Sequence, residues 1–178
     1  MSRTEKLKFL FKVAGTHPDL EPVAAILMGE AGGEGPEGMR AVYHVVLNRA
    51  RRLGMQPLEV MKIPKQFSIL NNLTPEFLVS KYKNSQNPLE KSLWEAAKAI
   101  ALNPGADPTG GATHYYNSSK ANPSWGNSKT NPCWVETGKI GRHTFGQERT
   151  DPMWGAEKCI ISESGKPVAK TGKPYFAN

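Results

Sequence analysis

The sequence predicts an α+β fold: a mainly helical single domain with a small antiparallel β-sheet in its C-terminal half. Helical apolar spacing recurs in segments between Leu20 and Leu102. From Asn103 onward Gly, Pro, Asn and Ser dominate, and the periodic pieces shorten to Ala112–Asn117 and Trp134–Phe145. With 178 residues, 38% of them hydrophobic, the chain is long enough for one real core and short for two ordinary domains. The expected organisation is one domain over 1–178, with an N-terminal helix and connector at 1–19, a core at 20–145 and an extension at 146–178.

Taken in order, residues Glu5 to Val13 suit a short amphipathic helix, and Thr16 to Asp19 a connector. Leu20, Val23, Leu27 and Glu30 then follow one helical stripe, with Pro22 tolerated in the first turn and Gly32-Gly33 ending the run in left-handed conformations. Pro36 opens a second helix through Arg52 that turns Val42, Val45, Val46, Ala50 and Leu53 inward and stops at Gly54. Pro57–Met61 and Pro75–Lys83 read as short helices, and Pro88–Leu102 as a longer one ended by Asn103-Pro104-Gly105. From Ile161 the chain is expected to wrap the surface without regular structure.

Composition narrows function. No apolar run approaches the roughly 20 residues of a membrane-spanning helix, so no stable membrane insertion is expected. Lys8 and Lys12 flank the brief Phe-Leu-Phe cluster near the start and no longer apolar run follows it there, which predicts no signal peptide. Two cysteines, Cys133 and Cys159, exclude a disulfide framework; two reduced thiols are expected, with a single bridge as the alternative. The net charge of +7 favours a polyanionic partner such as nucleic acid, anionic lipid or a bacterial wall.

Glu30 is the sharpest chemical candidate. A carboxylate that continues an apolar helix face is unusual, because desolvation disfavours its charged form and suits it to general-acid work. Gly29 and Gly32-Gly33 leave room for a ligand to approach the backbone, and Glu34 supplies the second carboxylate that glycoside hydrolysis uses. Read alone, a glutamate at a helix end is more often a solvated side chain.

The run Gly29-Glu30-Ala31-Gly32-Gly33-Glu34 is followed by Pro36, Gly38, Ala41-Val42 and Leu47-Asn48-Arg49. Three later blocks come in order: Gln66-Phe67-Ser68; Gly111-Ala112-Thr113-His114-Tyr115-Tyr116-Asn117 with Pro123-Ser124-Trp125; and Ile140-Gly141-Arg142-His143-Thr144-Phe145. Over roughly Leu20 to Phe145 this pattern resembles the cell wall hydrolase family of spore cortex-lytic enzymes. It departs from the familiar pattern at Gly32, where a bulky basic residue is usual, and at Ile69.

The resemblance implies a lysozyme- or lytic-transglycosylase-like fold. It also implies a peptidoglycan glycosidase that cuts between N-acetylmuramic acid and N-acetylglucosamine, leaves a 1,6-anhydro end, and uses Glu30 as its acid without cofactor or metal. Glu34 then binds or positions, or activates water in a hydrolytic muramidase. Tyr115, Tyr116, Asn117 and Trp125 combine flat faces with polar handles suited to pyranose rings, although strand alternation sends one tyrosine to the core. Gln66 and Thr113 are candidate cleft donors, and Asn48 is expected to be a buried hydrogen-bonding strut, with a sugar ligand as the alternative.

Three rival readings stand beside this one. A thiol-dependent amidase or peptidase would use Cys133 with His143 or His114. A zinc hydrolase would use His44, His114 and His143, although no metal-ligand spacing supports it. A non-catalytic wall- or nucleic-acid-binding module would use Arg49, Arg51 and Arg52, although no nucleic-acid motif accompanies them. Family members in spore formers are exported, so the expected lack of an export signal points toward a bacteriophage endolysin, with a precursor whose leader is missing as the alternative. Such an endolysin, a monomer, would be held in the host cytoplasm and reach peptidoglycan through a holin's membrane lesions, with no nucleic-acid partner.

Overall fold

The computed structural model describes residues 18–148 and the backbone of 160–161 and 167–168. The expected helix at Glu5 to Val13 lies outside the described residues. Helix α1 spans Leu20–Ala31, α2 Gly35–Leu53, α3 Pro57–Met61, α4 Pro75–Lys83 and α5 Pro88–Leu102. Strands β1 His114–Asn117, β2 Trp134–Ile140 and β3 His143–Glu148 follow, then the short β4 Ile160–Ile161 and β5 Pro167–Val168. The described residues divide into two compact units, one gathering residues 18–43 with Pro57–Ala106, the other His44–Gln56 with residues 107–148.

In the first unit the helix starts follow from local chemistry. Pro57, Pro75 and Pro88 open α3, α4 and α5, where a missing N–H costs nothing and a fixed φ is already helical. Thr74 caps α4 by accepting from the Phe77 N–H at 3.2 Å, and Asn87 caps α5 by accepting from the Leu89 and Glu90 N–H groups at 2.9 and 3.2 Å.

The sequence suggests an apolar stripe on α1, but its burial runs all the way round. Val23 to Met28 form an unbroken buried run, because α1 packs against both α4 and α5. Ala24 and Ala25 are the small residues in this run, and an ion pair from Lys83 to Glu21 at 3.0 Å ties α4 to its first turn.

The expected left-handed stop at Gly32-Gly33 is displaced. Gly32 is right-handed, at φ −58° and ψ −34°, and residues Gly32–Glu34 tighten into a 3-10 turn. The left-handed residue is Gly35, at φ 71°, a conformation L side chains rarely adopt, and it opens α2 directly.

In the second unit β1, β3 and β2 form an antiparallel sheet in that order. The Trp134–Phe145 segment is a hairpin rather than one strand. Ile140 pairs with His143 across Gly141-Arg142, and Gly141 has φ 57°, the first central position that a type II′ turn reserves for glycine. A bulge at Thr137 interrupts the β2 register between Glu136 and Gly138. The C-terminal stretch, expected to lack regular structure, has one antiparallel ladder pairing Ile160 with Val168 and Ile161 with Pro167.

Gly146 in β3 lies directly beneath the Trp134 ring. A methyl group there would collide with Trp134 Cζ2 and Cη2 and with the Val135 carbonyl oxygen, which the ladder holds fixed. Gly146→Ala is therefore expected to destabilise the protein by about 2–3 kcal/mol, the usual cost of overpacking. Chemical denaturation checks this, and an unchanged midpoint would show that the ring moves freely.

Candidate active site

Glu30 occupies the last turn of α1 and is half-buried. Its Oε1 accepts two hydrogen bonds from one short segment, the backbone N–H of Ile69 at 2.8 Å and the Ser68 hydroxyl at 3.2 Å. Both donors lie at the start of the Ser68–Asn71 3-10 turn, which follows the fully buried Phe67.

The turn comes this close because α1 has no side chain at Gly29. A Cβ there would stand 2.7 Å from Ile69 Cγ1 and 3.4 Å from Ile69 Cβ. Glu34, half-buried on the 3-10 turn after α1, covers Gly38, where a methyl group would strike Glu34 Cβ. Gln66 is half-buried, two residues before Ser68, and its N–H closes a turn onto the Ile63 carbonyl at 3.2 Å. Glu30, Glu34 and Gln66 thus belong to the first unit.

The other sequence candidates belong to the second. Strand alternation places Tyr115 and Tyr116 on opposite faces of β1. Tyr115 stacks on Phe145, its cross-strand partner, at 5.9 Å and meets the edge of His143 at 5.2 Å. Tyr116 joins a cluster with Trp125 at 5.7 Å and Trp134 at 6.3 Å, while Trp125 and Trp134 meet at 5.5 Å and His114 tilts against Trp125 at 5.4 Å.

The Tyr116 hydroxyl donates to the Gly126 carbonyl at 3.2 Å, which pins the 3-10 turn carrying Trp125 to the sheet. Trp125 keeps part of its surface open to solvent. Asn117 folds back locally, its Oδ1 accepting from the N–H and hydroxyl of Ser119 at 3.0 and 2.6 Å.

Beneath the sheet Asn48 uses both ends of its amide. Nδ2 donates to Asp107 Oδ2 at 3.0 Å and to the Ala112 carbonyl at 2.9 Å, and Oδ1 accepts from Arg51 at 2.8 Å. Thr113 is fully buried, its hydroxyl 3.0 Å from His114 Nδ1 and its carbonyl receiving Arg49 Nε at 2.6 Å. These residues hold β1 onto the second half of α2.

The rival readings meet specific obstacles. Cys133 is buried and bonded in a disulfide, contrary to the expected free thiol, so it carries no nucleophilic thiolate. Cys159 lies outside the described residues. Arg49, counted among the cations of a nucleic-acid surface, is 5% exposed and committed to Thr113. Among the described residues no three His, Cys, Asp or Glu side chains gather to hold a metal ion.

The helices around α1, the three-stranded antiparallel sheet and a carboxylic acid closing the buried helix define the lytic-transglycosylase-like class of fold. The catalytic domain of the germination-specific lytic transglycosylase SleB from Bacillus anthracis is 26% identical. That match covers 75% of this chain and 98% of that one, with a TM-score of 0.53. The catalytic domain of the Bacillus cereus SleB protein is 28% identical over 75% and 93% of the two chains, with a TM-score of 0.50.

The model of the cell wall hydrolase family matches residues 33–146, and the chain belongs to that family. It is a peptidoglycan-degrading enzyme. No curated protein sequence matches the chain. Glu30 stands just ahead of the family match, and sequence reasoning attached no role to Ser68 although it lies in the Gln66-Phe67-Ser68 block. A hydrogen bond spanning 38 positions leaves no periodic signal.

Asp107 is the electrostatic centre beneath the sheet. Burial pushes its carboxyl up, but hydrogen bonds from the Thr109 hydroxyl, the Asn48 amide and the Thr109 N–H, with the charge of His44, outweigh burial and hold it below the usual carboxylate range. A depressed carboxyl contributes stability that is present above its unfolded value and lost as pH falls through the folded one. The wild type should lose stability between about pH 5 and pH 2, and Asp107→Asn should lose less over that interval. Urea unfolding at both ends measures the difference, and equal losses in the two proteins would remove Asp107 from the account.

Proposed function

We propose that the chain is a lytic transglycosylase that cuts peptidoglycan between N-acetylmuramic acid and N-acetylglucosamine and leaves 1,6-anhydromuramic acid, with Glu30 as its acid and base. One observation carries the assignment to Glu30: a carboxyl group at the end of a buried helix whose Oε1 is held by two hydrogen bonds. Similarity to two SleB catalytic domains, one described as a lytic transglycosylase, supports the reaction class.

In the proposed cycle neutral Glu30 gives its proton to the glycosidic oxygen as the bond from that oxygen to C1 of the muramic acid breaks. The resulting oxocarbenium-like sugar is captured by its own C6 hydroxyl. Glu30, now a carboxylate, takes the hydroxyl proton as O6 bonds to C1. No water enters, and the glutamate ends protonated as it began. Within the second unit the half-buried Trp125 presents a flat face of the kind that stacks on a pyranose ring, and Tyr116 supports it through Gly126.

Purified peptidoglycan digested with the wild type should release muropeptides that mass spectrometry finds one water lighter than hydrolysis products. Glu30→Gln should lower that release by about a hundredfold or more, the usual contribution of a general acid. Reducing ends in place of anhydro ends would make the enzyme a hydrolytic muramidase and turn attention to Glu34. Full activity in the mutant would sink the assignment.

We infer a biological role in lysis of a bacterial host from within, as a phage endolysin reaching the wall through membrane lesions. The net charge of +7 supports capture by an anionic envelope. Protein added from outside should lyse permeabilised cells and spare intact ones; equal lysis of both would overturn the dependence on membrane passage.

A further inference from the structure

We propose that Ser68, together with the backbone N–H of Ile69, is the positioning device of Glu30, and that it assigns the transferable proton to Oε2. The inference rests on the proposed acid and base role of Glu30. In a neutral carboxyl group the carbonyl oxygen is the better acceptor and the hydroxyl oxygen carries the proton. Oε1 accepts from Ile69 N–H at 2.8 Å and from the Ser68 hydroxyl at 3.2 Å, an arrangement that in the neutral acid of the proposed cycle favours Oε1 as the carbonyl oxygen and Oε2 as the protonated one.

Two donors on one oxygen also fix the rotation of the carboxyl group. The same oxygen therefore donates to the leaving group and afterwards takes the proton of the C6 hydroxyl. Ser68 is exposed, so water would satisfy its hydroxyl in any other conformation. Its use is orientation of the carboxyl group rather than support of the fold. Gly29 sets the distance of the whole device, because a Cβ there would stand 2.7 Å from Ile69 Cγ1 and push the donors away from the acid.

A carboxylate free to swing serves a nearby water as readily as the C6 hydroxyl, which gives the device a signature in the products. Ser68→Ala should lower kcat about tenfold, less than the roughly hundredfold a misplacement of 1 Å can cause, since the Ile69 donor remains. It should leave KM and the unfolding midpoint in place and raise the share of reducing over anhydro ends. Ser68→Thr keeps the hydroxyl and should restore most of both kcat and product ratio.

Gly29→Ala should reproduce the loss without touching a polar group. Adding Ile69→Ala removes the obstructing Cγ1 while keeping the N–H, and should recover turnover. All four variants are assayed on purified peptidoglycan alongside the wild type and Glu30→Gln. An Ser68→Ala enzyme with wild-type turnover and product ratio overturns the proposal, as does a loss that follows a fall in folded fraction with the product ratio unchanged. Failure of Ile69→Ala to rescue Gly29→Ala overturns the part assigned to Gly29. Full activity in Glu30→Gln instead overturns the catalytic reading beneath, so the two failures are distinguishable.

Discussion

The candidate acid depends on a close approach between two pieces of backbone. Helix α1 lacks a side chain at Gly29, and the Ser68–Asn71 turn uses that gap to place an N–H and a hydroxyl on Glu30. Neither segment would hold this geometry alone. A 3-10 turn of four residues has little stability of its own, and the last turn of a helix frays unless something caps it. The buried Phe67 ahead of the turn and the buried body of α1 supply the fixed walls, and the hydrogen bonds set the final alignment. Orientation of a reacting group is worth several kcal/mol of barrier only when such walls keep it from relaxing.

The second unit meets a different demand with similar economy. Its sheet has three strands, and sheets of that size need a packed face to persist. Trp134 lies over Gly146, Tyr116 leans on Trp125, and Asn48 with Arg49 takes up the carbonyls of Ala112 and Thr113 just before β1. The directional bonds from Asn48 and Arg49 to those carbonyls fix one arrangement where apolar packing alone tolerates several.

Much of this architecture is legible in the sequence because its signals are local. Pro57, Pro75 and Pro88 mark helix starts, and the shortened periodic pieces after Asn103 mark the strands. Signals that depend on distant partners do not show. The stripe of α1 turns into full burial because α4 and α5 cover separate sides, and the left-handed glycine is Gly35 because residues Gly32–Glu34 continue the right-handed path. Gly141 hides inside an alternating run, so one strand is read where a hairpin forms. Glu30 stands out as a carboxylate on an apolar face, whereas its Ser68 and Ile69 partners emerge only from the folded chain. The oxidised state of Cys133 likewise cannot follow from counting two cysteines.

The burial of Arg49 changes what the chain's positive charge means. Its guanidinium is counted in the formal +7, yet its Nε is bonded inside the protein to a carbonyl. Lysines such as Lys62, Lys65, Lys81, Lys83 and Lys91 carry cationic charge at the surface of the first unit. An ammonium is a hydrated point charge without the flat fork that grips a carboxylate or phosphate in two places. Its pull is screened within about 10 Å at moderate salt. A surface of this kind draws a protein toward a polyanion without gripping any one group on it.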